Sequence, residues 1–343
     1  MVKKRVTQAD VARKAGVSQT AVSQILSRRT DVVTNFRPST RQKVIRAAEE
    51  LGYVPSMMAR ALRTNRTMTI GLVLGFITDE LSLRITHGIQ EVAHERGYGV
   101  LIGDTEQNPD LEVRVLEHFR EHHVDGLIFV DSWTDPATYL HDESVAPMVF
   151  AQLRQMMQKQ NCVGVNNFRG GYEATRHLLD LGYRKVAHIS GPENWWSAAE
   201  RFRGYQQALE DYGFQYNPSL IEFGDWEISS GADTTDLLLD RHPDIDAIFV
   251  ANDLMAAGSI QAAMRRGMDI PQELALVGFD DRQVAEALFP PLTSFALPLN
   301  LMGQKAAHLL IDRLLKNNAR YVPSINVAGS LVVRESCGAL VSS

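Results

Sequence analysis

The chain predicts an all-α N-terminal headpiece with a short hinge helix, followed by a two-lobed α/β domain with parallel sheets. Three observations carry this. Residues 7–26 have the spacing of a helix-turn-helix. From Thr69 onward, short apolar runs alternate with helical periodicity. Charge is also segregated. Through Arg66 there are 14 Lys and Arg against 4 Asp and Glu, a balance of +10, so in a chain of net charge −6 the remainder carries −16.

The headpiece elements follow in order. Thr7 and Asp10 have the pattern of a capping box that starts a first helix. Gly16 ends it, because glycine reaches positive φ without a Cβ clash. Ser18 caps a second helix. Val11, Ala15, Val17, Val22 and Ile25 fall where the two helices touch. Gln19, Thr20, Ser23 and Gln24 point outward, as side chains that meet base edges in a major groove must. Thr7 and Ser18 join them as candidate DNA contacts. The loop Ser27–Arg37 holds Arg28 and Arg29, placed to meet phosphates or simply solvent. A third helix is expected from Pro38, with Ser39 and Gln42 as its capping box and Gly52 as its end.

Pro55 and Ser56 then open a hinge helix expected over Met57–Arg63. So short a helix needs a partner surface to form. Leu62 among Arg60, Arg63 and Arg66 has the pattern of a minor-groove wedge beside phosphate clamps. The ordinary alternative is an interdomain linker.

In the acidic remainder, strands are expected at Ile70–Leu74, Gly99–Gly103, Gly126–Val130, Pro147–Phe150, Lys185–Ser190, Leu220–Phe223, Ala247–Ala251 and Ala275–Phe279. Helices are expected at Ser82–Arg96, Leu111–His122, Tyr172–Leu181, Ala198–Tyr212, Ser229–Leu239, Leu254–Arg265 and Leu299–Lys316. The pattern is too long for one such sheet, so two halves with a cleft between them are expected. Ligands in such folds sit at the carboxyl ends of strands.

Composition excludes several classes. Cys162 and Cys337 form neither a disulfide framework nor a zinc pattern. No dinucleotide fingerprint, Walker loop, His-Glu-x-x-His or Gly-x-Ser-x-Gly elbow is present. No catalytic residue, metal site or cofactor is therefore expected. No run has the length of a membrane span, and Met1–Arg5 leads into a helix pattern rather than an apolar secretory core. The expectation is a cytoplasmic protein without a membrane partner.

Four places at strand ends have ligand chemistry, each with an ordinary structural use beside it. Arg201 could fork onto ring oxygens, or make a surface ion pair. Trp226 could stack on a sugar ring, or pack in the core. Asn252 could bond hydroxyls, or cap the next helix. Asp280 could accept from vicinal hydroxyls, or stabilise a turn. Trp195 or its neighbour Trp196 could offer a second stacking face, and Asp79 or Glu80, beyond the first strand, could meet the ligand from the other half.

These stretches together resemble the LacI/GalR family of bacterial transcription regulators. The opening block, the Gly52–Leu62 hinge and the Thr69–Val73 strand carry the resemblance at one end. Glu200-Arg-Phe-Arg-Gly-Tyr205, Gly224-Asp-Trp226, Ala251-Asn-Asp253 and Gly278-Phe-Asp-Asp281 carry it at the other. The resemblance implies base contacts from Gln19, Thr20 and Gln24. It implies backbone or minor-groove contacts from Tyr53, Ser56 and Ala59, and a central wedge from Leu62. It assigns Arg201, Trp226, Asn252 and Asp280 to effector binding. The sequence departs from it in a longer loop before the third helix, in Leu297-Pro298 and in Asn166-Asn167.

The resulting expectation is a headpiece over 1–55, a hinge over 56–67 and a periplasmic-binding-protein-like sensor over 68–343. Its first lobe would span about 68–166 and 296–325, and its second about 167–295 and 326–343. The implied protein is a homodimeric repressor of carbohydrate-use genes on double-stranded operator DNA. Its effector would be a mono- or oligosaccharide. A purine or other polar effector is the alternative, and a sugar-binding protein without gene control a remoter one. An α/β enzyme is disfavoured by the missing catalytic signatures.

Overall fold

The computed structural model describes residues 6–26, 36–54, 61, 66–131, 146–151, 161–316 and 324–339. The chain divides into two compact units, Met1–Thr67 and Met68–Ser343.

The first unit contains α1 (Gln8–Ala15), α2 (Gln19–Ile25) and α3 (Pro38–Leu51). Both halves of the expected capping box form. Thr7 Oγ1 accepts from the Asp10 N–H at 3.4 Å, and Asp10 Oδ2 accepts from the Thr7 N–H at 3.0 Å. Gly16 ends α1 at φ 67°, and Ser18 Oγ accepts from the Ala21 N–H at 3.2 Å to start α2. Val11, Ala12, Val22, Ile25, Val44, Ala47 and Ala48 form the core. One expectation fails: Ser39 does not cap the third helix. Arg37 is the N-cap, with no side-chain cap bond, and Pro38 is the first helical residue. Proline's ring already sets the helical φ, and its missing N–H needs no cap there, so the helix starts before Ser39.

The second unit holds two sheets of six strands. The first is built from β1 (Thr69–Leu74), β2 (Gly99–Asp104), β3 (Gly126–Val130), β4 (Met148–Ala151), β5 (Cys162–Val165) and β11 (Ile325–Val327). Its order is β11-β5-β4-β3-β1-β2. The second is built from β6 (Val186–Ser190), β7 (Ile221–Phe223), β8 (Ala247–Val250), β9 (Ala275–Asp280), β10 (Thr293–Ala296) and β12 (Ser330–Val332). Its order is β12-β10-β9-β8-β6-β7. Every described pairing is parallel except β10 with β12. The connecting helices are α4 (Glu80–Glu95), α5 (Pro109–Glu121), α6 (Asn167–Asp180), α7 (Trp196–Asp211), α8 (Ile228–Arg241), α9 (Asp253–Arg265), α10 (Gln283–Ala287) and α11 (Leu299–Lys316).

The expected strands all form, with ends shifted by a residue or so. Four strands and α10 escape the sequence reading. β10 is instructive. Thr293 and Ser294 are fully buried, but neither contributes to an apolar run. Their hydroxyls are satisfied internally: Ser294 Oγ donates to Asp253 Oδ1 at 2.6 Å, and Thr293 Oγ1 accepts from the Arg334 N–H at 2.8 Å. β11 and β12 are three-residue edge strands, too short for periodicity to register.

Close helix pairing positions the site. A Cβ on Gly171 of α6 would stand 2.1 Å from the Arg201 carbonyl oxygen of α7, and one on Gly204 would stand 2.1 Å from Phe168 O. Only hydrogen fits at these points, so the α6–α7 crossing fixes where Arg201 begins. Gly88 of α4 meets Asn300 O of α11 in the same way, at 2.0 Å.

Candidate DNA interface and effector cleft

In the headpiece, Thr7, Ser18, Gln19 and Thr20 are exposed, while Ser23 and Gln24 are half-buried on the same helix. The α2 N-terminus therefore presents short polar side chains, as major-groove reading requires. Tyr53 packs partly against the headpiece core, and its N–H donates to Ala48 O at 2.8 Å. Lys14 and Arg46 both pair with Glu50, at 2.7 and 2.9 Å. Arg28, Arg29, Ser56, Ala59 and Leu62 lie outside the described residues, as does the expected hinge helix save Ala61.

All six candidate effector residues line one cavity of about 510 Å³ at the carboxyl ends of the strands. Trp195, Arg201, Trp226, Asn252 and Asp280 come from the second lobe, and Asp79 comes from the first.

Arg201 lies in the second turn of α7, which starts at Trp196, before the expected Ala198. It is buried. Its Nε donates to Asn167 Oδ1 at 3.0 Å, and Nη1 donates to the Ala251 carbonyl. Nη2 stands 3.4 Å from Asp280 Oδ1. The guanidinium lies 3.7 Å from the Phe279 ring centroid and 5.6 Å from that of Trp226. The surface-ion-pair alternative for Arg201 therefore fails.

Asp280 ends β9 at φ 101°. Burial pushes its carboxyl above the ordinary range, while Arg201 and Arg282 pull the other way. Its neighbour Asp253 is wholly buried. Ser294 Oγ and the Arg282 N–H each donate to one of its oxygens, at 2.6 and 2.7 Å. Burial, and then the Asp280 charge, push Asp253 up to about 8.

Trp226 sits at φ 78°, backbone that a non-glycine residue adopts at a cost of about 1–3 kcal/mol. Its ring occupies space that Gly191 leaves open, where a Cβ would approach to 2.2 Å. Trp195 meets it edge-on, with centroids 5.5 Å apart. The buried Trp226 Nε1 has no hydrogen-bond partner among the described residues, so it offers a donor to an incoming acceptor. Asn252 is the helix cap and also a lining residue. Its Oδ1 caps α9 through the Met255 N–H, and its Nδ2 holds the Trp226 carbonyl at 3.0 Å while it lines the cleft.

The sequence reading missed Asp131 and Arg282, which also line the cavity, as does Trp196 beside Trp195. Arg282 carried a usable signal: a charged residue just beyond a strand end. Among the described residues, no group of His, Cys, Asp and Glu is placed to hold a metal, and no helix is long and apolar enough to cross a membrane. Flat aromatic faces beside fixed donors and acceptors suit a ring-shaped, hydroxyl-rich ligand.

Comparison with known proteins agrees in both units. Residues 7–56 match the bacterial regulatory proteins of the lacI family, and residues 175–337 match a periplasmic binding protein-like domain. The HTH-type transcriptional regulator CelR of Thermobifida fusca is 34% identical over 97% of this chain and 99% of its own length. The HTH-type transcriptional repressor PurR of Haemophilus influenzae (strain PittEE) is 29% identical over 95% of this chain and 97% of its own. Among solved structures, a CelR–cellobiose complex aligns at a TM-score of 0.71, with 32% identity over 97% of this chain and 100% of that one. A lac repressor dimer bound to operator and the anti-inducer ONPF aligns at 0.83, with 26% identity over 98% of this chain and 100% of that one. The chain belongs to the lacI family of bacterial regulatory proteins, as a DNA-binding, ligand-responsive transcription regulator and not an enzyme.

Proposed function

We propose that this regulator is a cytoplasmic homodimeric repressor of carbohydrate-use genes, with a mono- or oligosaccharide as its effector. The observation that carries the reading is the convergence of Arg201, Asn252 and Asp280 with Trp195 and Trp226 in one cavity. Stacking faces beside a buried guanidinium–carboxylate pair match the alternating apolar and hydroxyl edges of a sugar ring. The CelR relative, solved with cellobiose, makes that disaccharide the first compound to try.

Each α2 would enter a major groove of a near-palindromic operator, with Gln19, Thr20, Ser23 and Gln24 toward base edges. Thr7, Ser18, Arg28, Arg29 and Tyr53 would hold the backbone. Ser56, Ala59 and Leu62 would meet the minor groove at the centre. Effector binding shifts the operator-bound population by its differential affinity for the two lobe arrangements.

Operator duplexes are selected from a random pool with the purified protein. Fluorescence anisotropy on the selected duplex then follows affinity as cellobiose, lactose, maltose and a purine nucleobase are added. A saccharide that changes operator affinity supports the reading. A response to the purine alone transfers the effector class to purines, and no selected consensus defeats the DNA assignment. Trp226→Ala is expected to abolish the effector response while operator affinity stays within about twofold, since the two sites lie in separate units.

A further inference from the structure

Two guanidiniums line the cavity among the described residues, Arg201 and Arg282. Arg201 is countered within its own lobe by Asp280. Arg282 is countered across the cleft. Its Nη2 stands 3.0 Å from Asp79 Oδ1, and its Nε stands 3.6 Å from Asp280 Oδ2. Its side chain is only 13% exposed. Burial works against the Arg282 charge, but Asp280 and Asp79 together more than offset it and hold the guanidinium above its ordinary range.

Asp79 is firmly placed. It is the N-cap of α4, and its other oxygen accepts from the Ser82 N–H at 3.0 Å. Two neighbouring bonds join the same segments. The Gln283 N–H donates to Glu80 Oε1 at 3.1 Å, and Arg84 Nη1 donates to Asp281 O at 3.0 Å. The Asp79–Arg282 pair is therefore part of a three-point bridge between the lobes. Asp131, Asp225 and Glu227 add further carboxylates to the lining.

We propose that Asp79 masks Arg282, and that this masking makes the cleft select uncharged saccharides and reject those carrying a phosphate. Asp79 is thus a specificity-determining residue that acts through Arg282. The proposal rests on the saccharide reading above. A guanidinium presents a planar fork that takes phosphate bidentately. In this cleft Asp79 already holds Nη2 of that fork, and a dianion entering beside it meets a lining with more carboxylates than guanidiniums. Replacing Asp79 with Asn removes the countercharge while keeping a side chain that caps a helix well. Arg282 then retains Asp280 but regains capacity for an anion.

The test uses the full chain and isothermal titration with cellobiose, lactose, maltose and the 6′-phosphate of each. Wild type is expected to bind at least one parent sugar and to bind its phosphate at least tenfold more weakly. In Asp79→Asn the phosphate-to-parent affinity ratio is expected to rise at least tenfold. In the double variant Asp79→Asn/Arg282→Gln that rise is expected to vanish. Asp79→Ser, which also preserves the cap, serves if the Asn variant does not fold. A wild type that prefers the phosphate ester overturns the proposal, as does a ratio that Asp79→Asn leaves unchanged; in both cases the saccharide reading stands. If no parent sugar and no ester binds wild type, the saccharide reading falls, and this proposal with it.

Discussion

The two lobes of the sensor share one strand order and differ in what their strand ends bring to the cleft. The first lobe offers Phe76, Leu81, Gln107, Asp79 and Asp131, backed by Met302. The second offers Trp195, Trp226, Asn252, the buried Arg201 and Asp280, and the half-buried Arg282, with the buried Asp253 behind them. Repeating a topology repeats the place where a ligand can sit, because strand ends and helix N-termini converge there. It does not repeat the chemistry. The second lobe holds its charges because buried partners, such as the Ser294 hydroxyl and the Ala251 carbonyl, satisfy them from within. On the proposed reading, the second lobe orients the effector and the first lobe covers it, with Asp79, Glu80 and Arg84 reaching across.

The comparison can be broken most forcefully at Arg201. Arg201→Ala leaves Asp280 buried without one of its two cations, and is expected to cost about 3–5 kcal/mol in urea unfolding of the sensor. A loss under about 1 kcal/mol would mean that the second lobe does not depend on its charge network. Next comes Gly171→Ala, which drives a methyl into the α7 backbone. It is expected to cost about 1–3 kcal/mol and to weaken effector binding by displacing Arg201.

A smaller effect follows from Asp253. Its folded pKa of about 8 lies above the ordinary 3.8, so the folded chain holds a proton that the unfolded chain releases. Its contribution to stability is full below 3.8 and lost as pH rises through 8. His188, lowered to about 3 by burial among aromatic rings, acts in the opposite sense, but only below its ordinary 6.5. Between pH 6.5 and 8 the Asp253 effect stands apart from that of His188. The melting temperature is expected to fall across that interval in wild type, and to fall less in Asp253→Asn. An equal fall in both would remove Asp253 from the account. The smallest effect is expected on the first lobe's side. Met302→Leu conserves volume and should cost under about 1.5 kcal/mol, with the effector response shifted only slightly in anisotropy.

How much was legible beforehand varied with the kind of signal. Caps and glycine stops at Thr7, Gly16 and Ser18 act within a few residues, so the headpiece helices could be drawn from local chemistry alone. Most of the eight expected strands were visible as apolar runs because both faces of a parallel sheet are buried; β2 and β7, at the sheet edges, are only partly so. β10 was not, because Thr293 and Ser294 are core residues only where distant partners satisfy them. Ser39 misled because a nearby proline outcompetes a hydroxyl for the helix start. At the site, Trp226, Asn252 and Asp280 were visible as unusual residues beyond strand ends. Arg282 was passed over, because its one local signal, a charge just beyond a strand end, is shared by many surface arginines.

What the sequence determined by itself was the alternation of strands and helices, the basic headpiece, the acidic two-lobed sensor and the identity of six cleft residues. Periodicity, capping and charge segregation are properties of neighbouring residues, and they survive in one dimension. Only the tertiary structure decided that Arg201 is buried on a carboxylate rather than exposed, that Asn252 is at once cap and lining, and that Asp79 is spent on Arg282. Those are meetings between residues far apart in the chain. Asp79 and Arg282 are separated by 203 positions, and no local pattern encodes their 3.0 Å contact.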